Sequence, residues 1–542
     1  MTTSNVSNSE KYSSVLRAVC LVLIVFGCLL RFFEITHNSF IFYDEGMYLN
    51  HNLDLLHKIQ QFPPKDSHEF LAIIRILFLT ALATAKWLWF FISNIRVFFG
   101  GPEMFYFTRV LSAICGVLTV FFTYFFARRL FRSKEIALLS AALLAVLPSH
   151  VFYSRLAMQE SFSTLCLLAG IYFYCSRRKV SAHLILSAIF LSAVYFTNYR
   201  MIVAPFLLGV VELIQGFKEK RPVDWGKLIL ATVMFFGIVL VIGLINHGSN
   251  LFITTAWMGH QAQMASQQWH WSNVFSYPYN FYRLDGAPFT LMLVMNFYWI
   301  LTKDWPKVLP IGLVLVQMMI FTCASEKGAR YLCVVLPFAA MAVAMSVQYL
   351  IANASSFKSW APPVLLVLLV FSLVGKSVAV VGTPSGYEQA VSFIKKTDPQ
   401  AKVLSTQPLI VGLWQDDPSW VQPVPKDIKE LIVRYSQGYR YLVIDPQAYV
   451  SWTASGNRFT TPLVDYLGFI HGHIPPVIKL AHLTPALLER FVLDHNEDLG
   501  ASVRFLNRND EDFGAVYVYD LTQSLEIMQK VIQSMSAKAE IR

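Results

Sequence analysis

Charge is scarce in this chain. Of its 542 residues only 14% are Asp, Glu, Lys or Arg, whereas 55% are hydrophobic and 15% aromatic. A soluble globular domain carries roughly 25% charged residues, so the composition excludes a soluble fold and predicts a polytopic membrane protein. Cysteine is also sparse: all seven lie in or beside apolar stretches, and none follows Cys333. Without a CxxC or a Cys/His zinc spacing, neither a disulfide framework nor a thiolate metal site is expected. The first apolar run has no small-residue cleavage site, which predicts an uncleaved signal anchor. The net charge of +10 does not mark a nucleic-acid binder. From Thr383 onward there are 15 Lys and Arg against 18 Asp and Glu. The basic excess therefore falls in the apolar part, largely in short loops, where it orients helices.

What is present is a series of apolar runs, each near the roughly 20 residues that a bilayer span needs. They predict about eleven membrane helices, at 14–33, 103–126, 136–150, 161–175, 183–197, 201–217, 228–246, 287–301, 309–323, 331–351 and 362–381. Residues 1–13 read as a cytoplasmic tail, 14–382 as the membrane domain and 383–542 as a small extracytoplasmic α/β domain. The first external loop, 34–102, includes the stretch Glu69–Phe99, which is apolar but interrupted by Arg75, Lys86 and Arg96. If it lies in the interface and does not span, the basic clusters near 128–134, 177–179 and 218–227 all fall on the cytoplasmic side. In the C-terminal region, helices are expected at 387–396, 427–436 and 485–493. Strands are expected at 402–406, 441–444, 502–506 and 515–521, with a last helix to about Met535. That region has no phosphate-cradling glycine loop and no nucleophile elbow, so it reads as a cover for a membrane site or a partner-binding domain.

The chain is organised around what leaves the first helix, Arg31-Phe-Phe-Glu-Ile-Thr-His-Asn-Ser-Phe-Ile-Phe-Tyr-Asp-Glu-Gly-Met-Tyr48. Two adjacent carboxylates, Asp44 and Glu45, sit there close to the hydrocarbon boundary, a costly place unless something pairs or uses them. The topology puts further ionisable groups at outer helix ends: Arg109, Arg155, Glu160, Arg200, Arg283, Asp285, Glu326, Lys327 and Arg330. Each alone reads as a snorkelling boundary residue. Together they predict one site in which guanidinium and ammonium groups hold a phosphate while carboxylates act on a hydroxyl. Convergence of Asp44, Glu160, Arg155 and Arg330 in one cavity is the expectation. The other class to weigh is a transporter or lipid-binding scaffold, but that would want acids near mid-span, broken helices and internal repeats. The charges concentrate at helix ends instead.

The sequence resembles the GT-C glycosyltransferases that use polyprenyl-phosphate sugars, in the branch of protein O-mannosyltransferases and lipid A aminoarabinose transferase. Five elements carry the resemblance, in order: Tyr43-Asp44-Glu45-Gly46-Met47-Tyr48; Phe62-Pro63-Pro64; Arg109; Pro148…Tyr153-Ser154-Arg155…Glu160; and Lys327…Arg330-Tyr331…Pro337. The resemblance covers about residues 14–381. The chain departs from the family in having Phe62 where His or Lys usually precedes Pro-Pro, and in a longer segment from Pro64 to Arg109. The resemblance implies a membrane glycosyltransferase that moves a sugar from a polyprenyl-phosphate donor to a lipid, glycan or protein hydroxyl, with inversion. The expected setting is the outer face of a bacterial inner membrane. By resemblance Asp44, Glu45 and Glu160 are the catalytic carboxylates, with Asp44 the base or the carboxylate that orients the acceptor. Arg109, Arg155, Arg200, Lys327 and Arg330 would bind the donor phosphate, and Tyr43, Tyr48 and Tyr331 would contact acceptor or sugar. No DxD follows helix one, so no resident metal or other cofactor is expected, with Mg or Mn as the alternative at Glu160.

Overall fold

The structure is a computed structural model. It describes residues 3–35, 43–51, 53–99, 103–175, 182–246, 248, 251–256, 258–259, 271–324, 327–353, 361–382, 386–414, 419–445, 465–481, 485–494, 499–507 and 515–529. The chain packs as two compact units. The first comprises Met1–Ile35, His51–Val381 and Leu493–Asn496; the second comprises Thr36–Asn50, Gly382–Val492 and Glu497–Arg542.

The first unit is helical throughout, and it is a multi-pass membrane unit. Among the described residues six helices are long and apolar enough to cross a bilayer, including Ser14–Phe32, Tyr106–Phe131, Tyr199–Glu219, Trp225–Ile245 and Ala329–Ala352. The remaining expected spans are helical but shorter. Pro148 is one reason: it starts a new helix, Pro148–Tyr153, and holds Leu147 extended (φ −73°, ψ 116°), so the helix that begins at Lys134 ends at Ala145. The segment expected in the interface is likewise two helices, Ser67–Leu82 and Trp87–Asn94. Asp66 caps the first of them, accepting the amides of His68 and Glu69, while Glu69 reaches back to the amide of Lys65. Burial sorts the helices. Leu336–Ala352 is buried along nearly its whole length, whereas Trp225–Ile245 buries four residues and turns the rest outward, as a lipid-facing helix does.

The second unit holds a five-stranded sheet, β1 (Lys402–Ser405), β2 (Val421–Pro423), β3 (Tyr439–Ile444), β4 (Ile478–Ala481) and β5 (Ala515–Asp520), in the order β2-β1-β3-β5-β4. β1 is parallel to β2 and β3, with Val403 opposite Val421 and Tyr441; β5 is antiparallel to β3 and β4. β3 and β5 are buried almost residue by residue, the mark of strands covered on both faces. The expected strand at 502–506 is instead part of a helix, Leu499–Leu506. Its buried residues are Leu499, Ala501, Ser502 and Phe505; Leu499, Ser502 and Phe505 follow at three-residue spacing, and that helical period overrides the apolar content. The Tyr43–Asn50 helix belongs to this unit and packs on the short Pro408–Val411 helix. Gly46 makes that approach possible, since a Cβ there would stand 2.6 Å from Ile410 Cγ1. Asn50 secures it by donating to the Leu409 carbonyl at 2.7 Å.

Candidate active site

In the first unit, three arginines close around the end of the first helix, Thr3–Phe32. The helix terminates through Glu34, a non-glycine residue in the left-handed region (φ 45°), at a cost of about 1–2 kcal/mol. Arg31, fully buried, donates to the carbonyls of Gly27, Ala145 (2.7 Å) and Leu144 (3.3 Å), and its Nη2 meets His150 Nδ1 at 2.6 Å. Arg155 Nη1 donates to the carbonyls of Leu30 (2.6 Å) and Phe33 (2.7 Å), and Arg109 Nη1 to that of Ile35 (3.2 Å). Carbonyls at a helix C-terminus lack intrahelical donors and carry partial negative charge, so cations there satisfy both. Gly27 and Gly116 let these groups approach, because a Cβ on either would overlap Ala145 or Ser154. In the connecting segment 148–160, burial first and Arg109 second draw the Arg155 guanidinium down to about 9; Glu34 opposes this and Arg31 adds to it. Arg155 thus stays charged at neutral pH, in surroundings that favour an incoming anion.

A second focus gathers on the 3-10 turn Ala329–Val335. The Arg200 guanidinium lies 4.6 Å from the centroid of the buried Tyr331 ring, and the Arg330 guanidinium lies 5.7 Å from it, so one ring carries two like charges. Gln317 reaches the Tyr331 carbonyl at 3.4 Å. Lys327 is buried and its Nζ donates to the Ala324 carbonyl at 2.8 Å. Asp494, almost fully buried, ties this turn to the 148–160 segment: its Oδ1 accepts the Tyr153 hydroxyl at 2.6 Å and the Arg330 amide at 2.8 Å. Gly328 permits that contact, since a Cβ there would come within 2.6 Å of the Asp494 carbonyl oxygen.

Glu160 opens the helix Glu160–Tyr174 and is buried there, where a carboxylate faces the positive end of the helix; Gln159 donates to its Oε1 at 3.2 Å. Asp285 has a capping duty: it accepts the amide and hydroxyl of Ser149, both at 2.9 Å, at the start of Pro148–Tyr153.

Of the residues expected from sequence, the first unit thus brings Arg109 and Arg155 together at one end of helix one, and Arg200, Arg330 and Tyr331 together at the 3-10 turn. The Ala329–Val335 turn packs against the helix that Glu160 opens. Glu45 and Tyr48 are buried on the Tyr43–Asn50 helix of the second unit. The side chains of Tyr43 and Asp44 lie outside the described residues, as do Glu326 and Arg177-Arg178-Lys179. Phe62 is exposed ahead of Pro63-Pro64. Among the described residues no three His, Cys, Asp or Glu side chains gather to hold a metal ion. Sequence reasoning missed Asp494, which carries no motif, and Arg31, whose signal was a lone charge at the end of an apolar run.

Residues 21–245 match the family model of dolichyl-phosphate-mannose-protein mannosyltransferase. Among solved structures, ArnT from Cupriavidus metallidurans bound to undecaprenyl phosphate is similar at 11% identity, over 79% of this chain and 93% of its own, with a TM-score of 0.53. Its apo form is similar at 13% identity over 81% and 94%, with a TM-score of 0.49. The oligosaccharyltransferase of Archaeoglobus fulgidus, in complex with Zn and sulfate, is similar at 10% identity over 78% and 68%, with a TM-score of 0.46. No protein of curated function matches by sequence.

Proposed function

We propose that this chain, a membrane glycosyltransferase of the GT-C class, moves a sugar from a polyprenyl-phosphate donor to a hydroxyl on a lipid, glycan or protein. The acceptor oxygen attacks the anomeric carbon, the bond from that carbon to the phosphate oxygen breaks, and the configuration inverts. Asp44 takes the proton from the acceptor hydroxyl. The polyprenyl phosphate departs with the bonding electrons, and Arg200, Arg330, Lys327, Arg155 and Arg109 offset its growing charge, a kind of stabilisation worth several kcal/mol in comparable sites. Glu45 and Glu160 orient acceptor and sugar, and Tyr43, Tyr48 and Tyr331 supply contact surface. The setting is a bacterial inner membrane, with the N-terminus cytoplasmic and the transfer on the outer face.

One observation carries this reading: two guanidinium groups, Arg200 and Arg330, are held over the single buried ring of Tyr331. Like charges assembled on one apolar support are favourable when an anion such as a phosphate joins them. The family-model match and the ArnT bound to undecaprenyl phosphate support a lipid-linked phosphate as that anion. The test is consumption of polyprenyl-phosphate sugars by purified protein given candidate acceptors. Wild type should transfer sugar and Asp44→Asn should not, with the melting temperature unchanged. Sugar transfer by Asp44→Asn at the wild-type rate would refute the role of Asp44; failure of every such donor would refute the reading.

A further inference from the structure

The helices that carry this site carry something else at their other ends. Glu103–Phe131 bears Arg109 near its start and Arg129 near its end, and twenty residues of helix span about 30 Å, the thickness of the hydrocarbon core. Glu160–Tyr174 likewise opens at Glu160 and is followed by Cys175. Between these far ends lies a cavity of about 270 Å³, lined by Arg129, Arg132, Lys218 and Trp305 with apolar neighbours such as Leu130. It is therefore on the opposite bilayer face from the candidate active site.

Its chemistry is one-sided. Glu219 is the one acid among the lining residues, and Arg221 holds it at 2.9 Å. Arg129 bridges to the Cys175 carbonyl at 3.1 Å and lies 4.8 Å from the Tyr172 ring centroid, which fixes that guanidinium in place. Arg132 and Lys218 are exposed at the rim. Arg132 sits in the left-handed region (φ 55°), as does Lys220 (φ 50°) at the end of the Ala204–Glu219 helix. Glycine would adopt that conformation without cost, yet both positions hold a cation. Beside the cavity Trp305 stacks on Phe217 at 4.5 Å, and Phe217 is more than half exposed, which gives the cavity an apolar flank. The volume falls below the ~300–1,000 Å³ of a site for a whole drug-sized ligand, which suits a phosphate headgroup whose chains remain in the bilayer.

We infer that this cavity binds the phosphate headgroup of an anionic membrane lipid, with Arg129, Arg132 and Lys218 facing the phosphate and the Trp305–Phe217 pair against its chains. The inference stands apart from the proposed transfer reaction. It is tested on the full-length protein by native mass spectrometry during titration with phosphatidylglycerol or phosphatidylcholine. The variant is Arg132→Gly with Lys218→Gln, which removes two rim charges and relieves the strained backbone, so folding is retained; its melting temperature checks this. Wild type should prefer phosphatidylglycerol, and the double variant should bind it about tenfold or more weakly, with phosphatidylcholine unaffected. Equal affinity of wild type and variant for phosphatidylglycerol would overturn the inference. Binding of glycerol phosphate as tightly as the lipid would overturn it too, because the occupant would then be a soluble phosphate.

Discussion

Tyr153 and Asp494 meet hydroxyl to carboxylate at 2.6 Å although 341 residues separate them in sequence. The same carboxylate oxygen accepts the Arg330 amide at 2.8 Å, so Asp494 positions two of the five elements that carry the family resemblance. Tyr153→Phe removes one hydrogen bond to a charged acceptor, a loss of about 1.5–3 kcal/mol. We expect kcat/KM for the lipid-linked donor to fall ten- to hundredfold, chiefly through KM. Asp494→Asn keeps the shape and should fall less than Asp494→Ala. An unchanged donor KM in Tyr153→Phe would leave this contact with a purely structural role.

Gly328→Ala tests the same corner from the backbone. The added methyl would press on the Asp494 carbonyl oxygen from 2.6 Å, and neither side of that contact is a flexible side-chain end. Overpacking of this kind costs about 1–3 kcal/mol. The expected result is a lower melting temperature together with weakened donor binding, measured by thermal unfolding with and without the donor.

Arg155 separates charge from shape. Its Nη1 serves the Leu30 and Phe33 carbonyls while the rest of the guanidinium remains beside Arg109 and Glu34. Arg155→Lys retains a charge but loses the planar fork that takes two phosphate oxygens together. We expect turnover to drop about tenfold or more, and Arg155→Gln to drop further, in single-turnover assays. Equal rates for wild type and Arg155→Lys would show that a point charge suffices.

His51 gives a pH signature. Burial, with Arg96 adding to it, lowers its pKa from 6.5 to about 4, and the ring packs on Phe90 with centroids 4.0 Å apart. Because the unfolded state binds the proton more readily, the contribution of His51 is complete above pH 6.5 and is lost as pH falls towards 4. Melting temperatures should decline across that window, and His51→Gln should flatten the decline. A parallel decline in the variant would assign it to other groups.

Much of the fold was legible because its signals are periodic. Apolar runs located the helices, and the helix expected at 427–436 forms as Ile428–Ser436, capped by Asp427, which accepts the Glu430 amide at 2.9 Å. The short strands β2 and β4 were not read, since three or four residues beside prolines carry too little pattern. The strand expected at 502–506 rests on apolar content alone, and packing makes it part of the Leu499–Leu506 helix instead. At the candidate site, motif residues such as Arg155, Arg330 and Tyr331 stood out as charge or aromaticity near a helix end. Asp494 did not, because its meaning comes entirely from Tyr153 and Arg330, to which nothing in its local sequence points.

The acceptors of Arg31 set a schedule for biogenesis. Three of them, Leu144, Ala145 and His150, leave the ribosome more than a hundred residues after Arg31 itself, on the order of ten seconds later at usual synthesis rates. Until then the first helix enters the bilayer with a cation at its end that must reach toward headgroups and water. Nascent chains halted before residue 144 should therefore hold that helix loosely, and its end is fixed only once Leu144, Ala145 and His150 arrive.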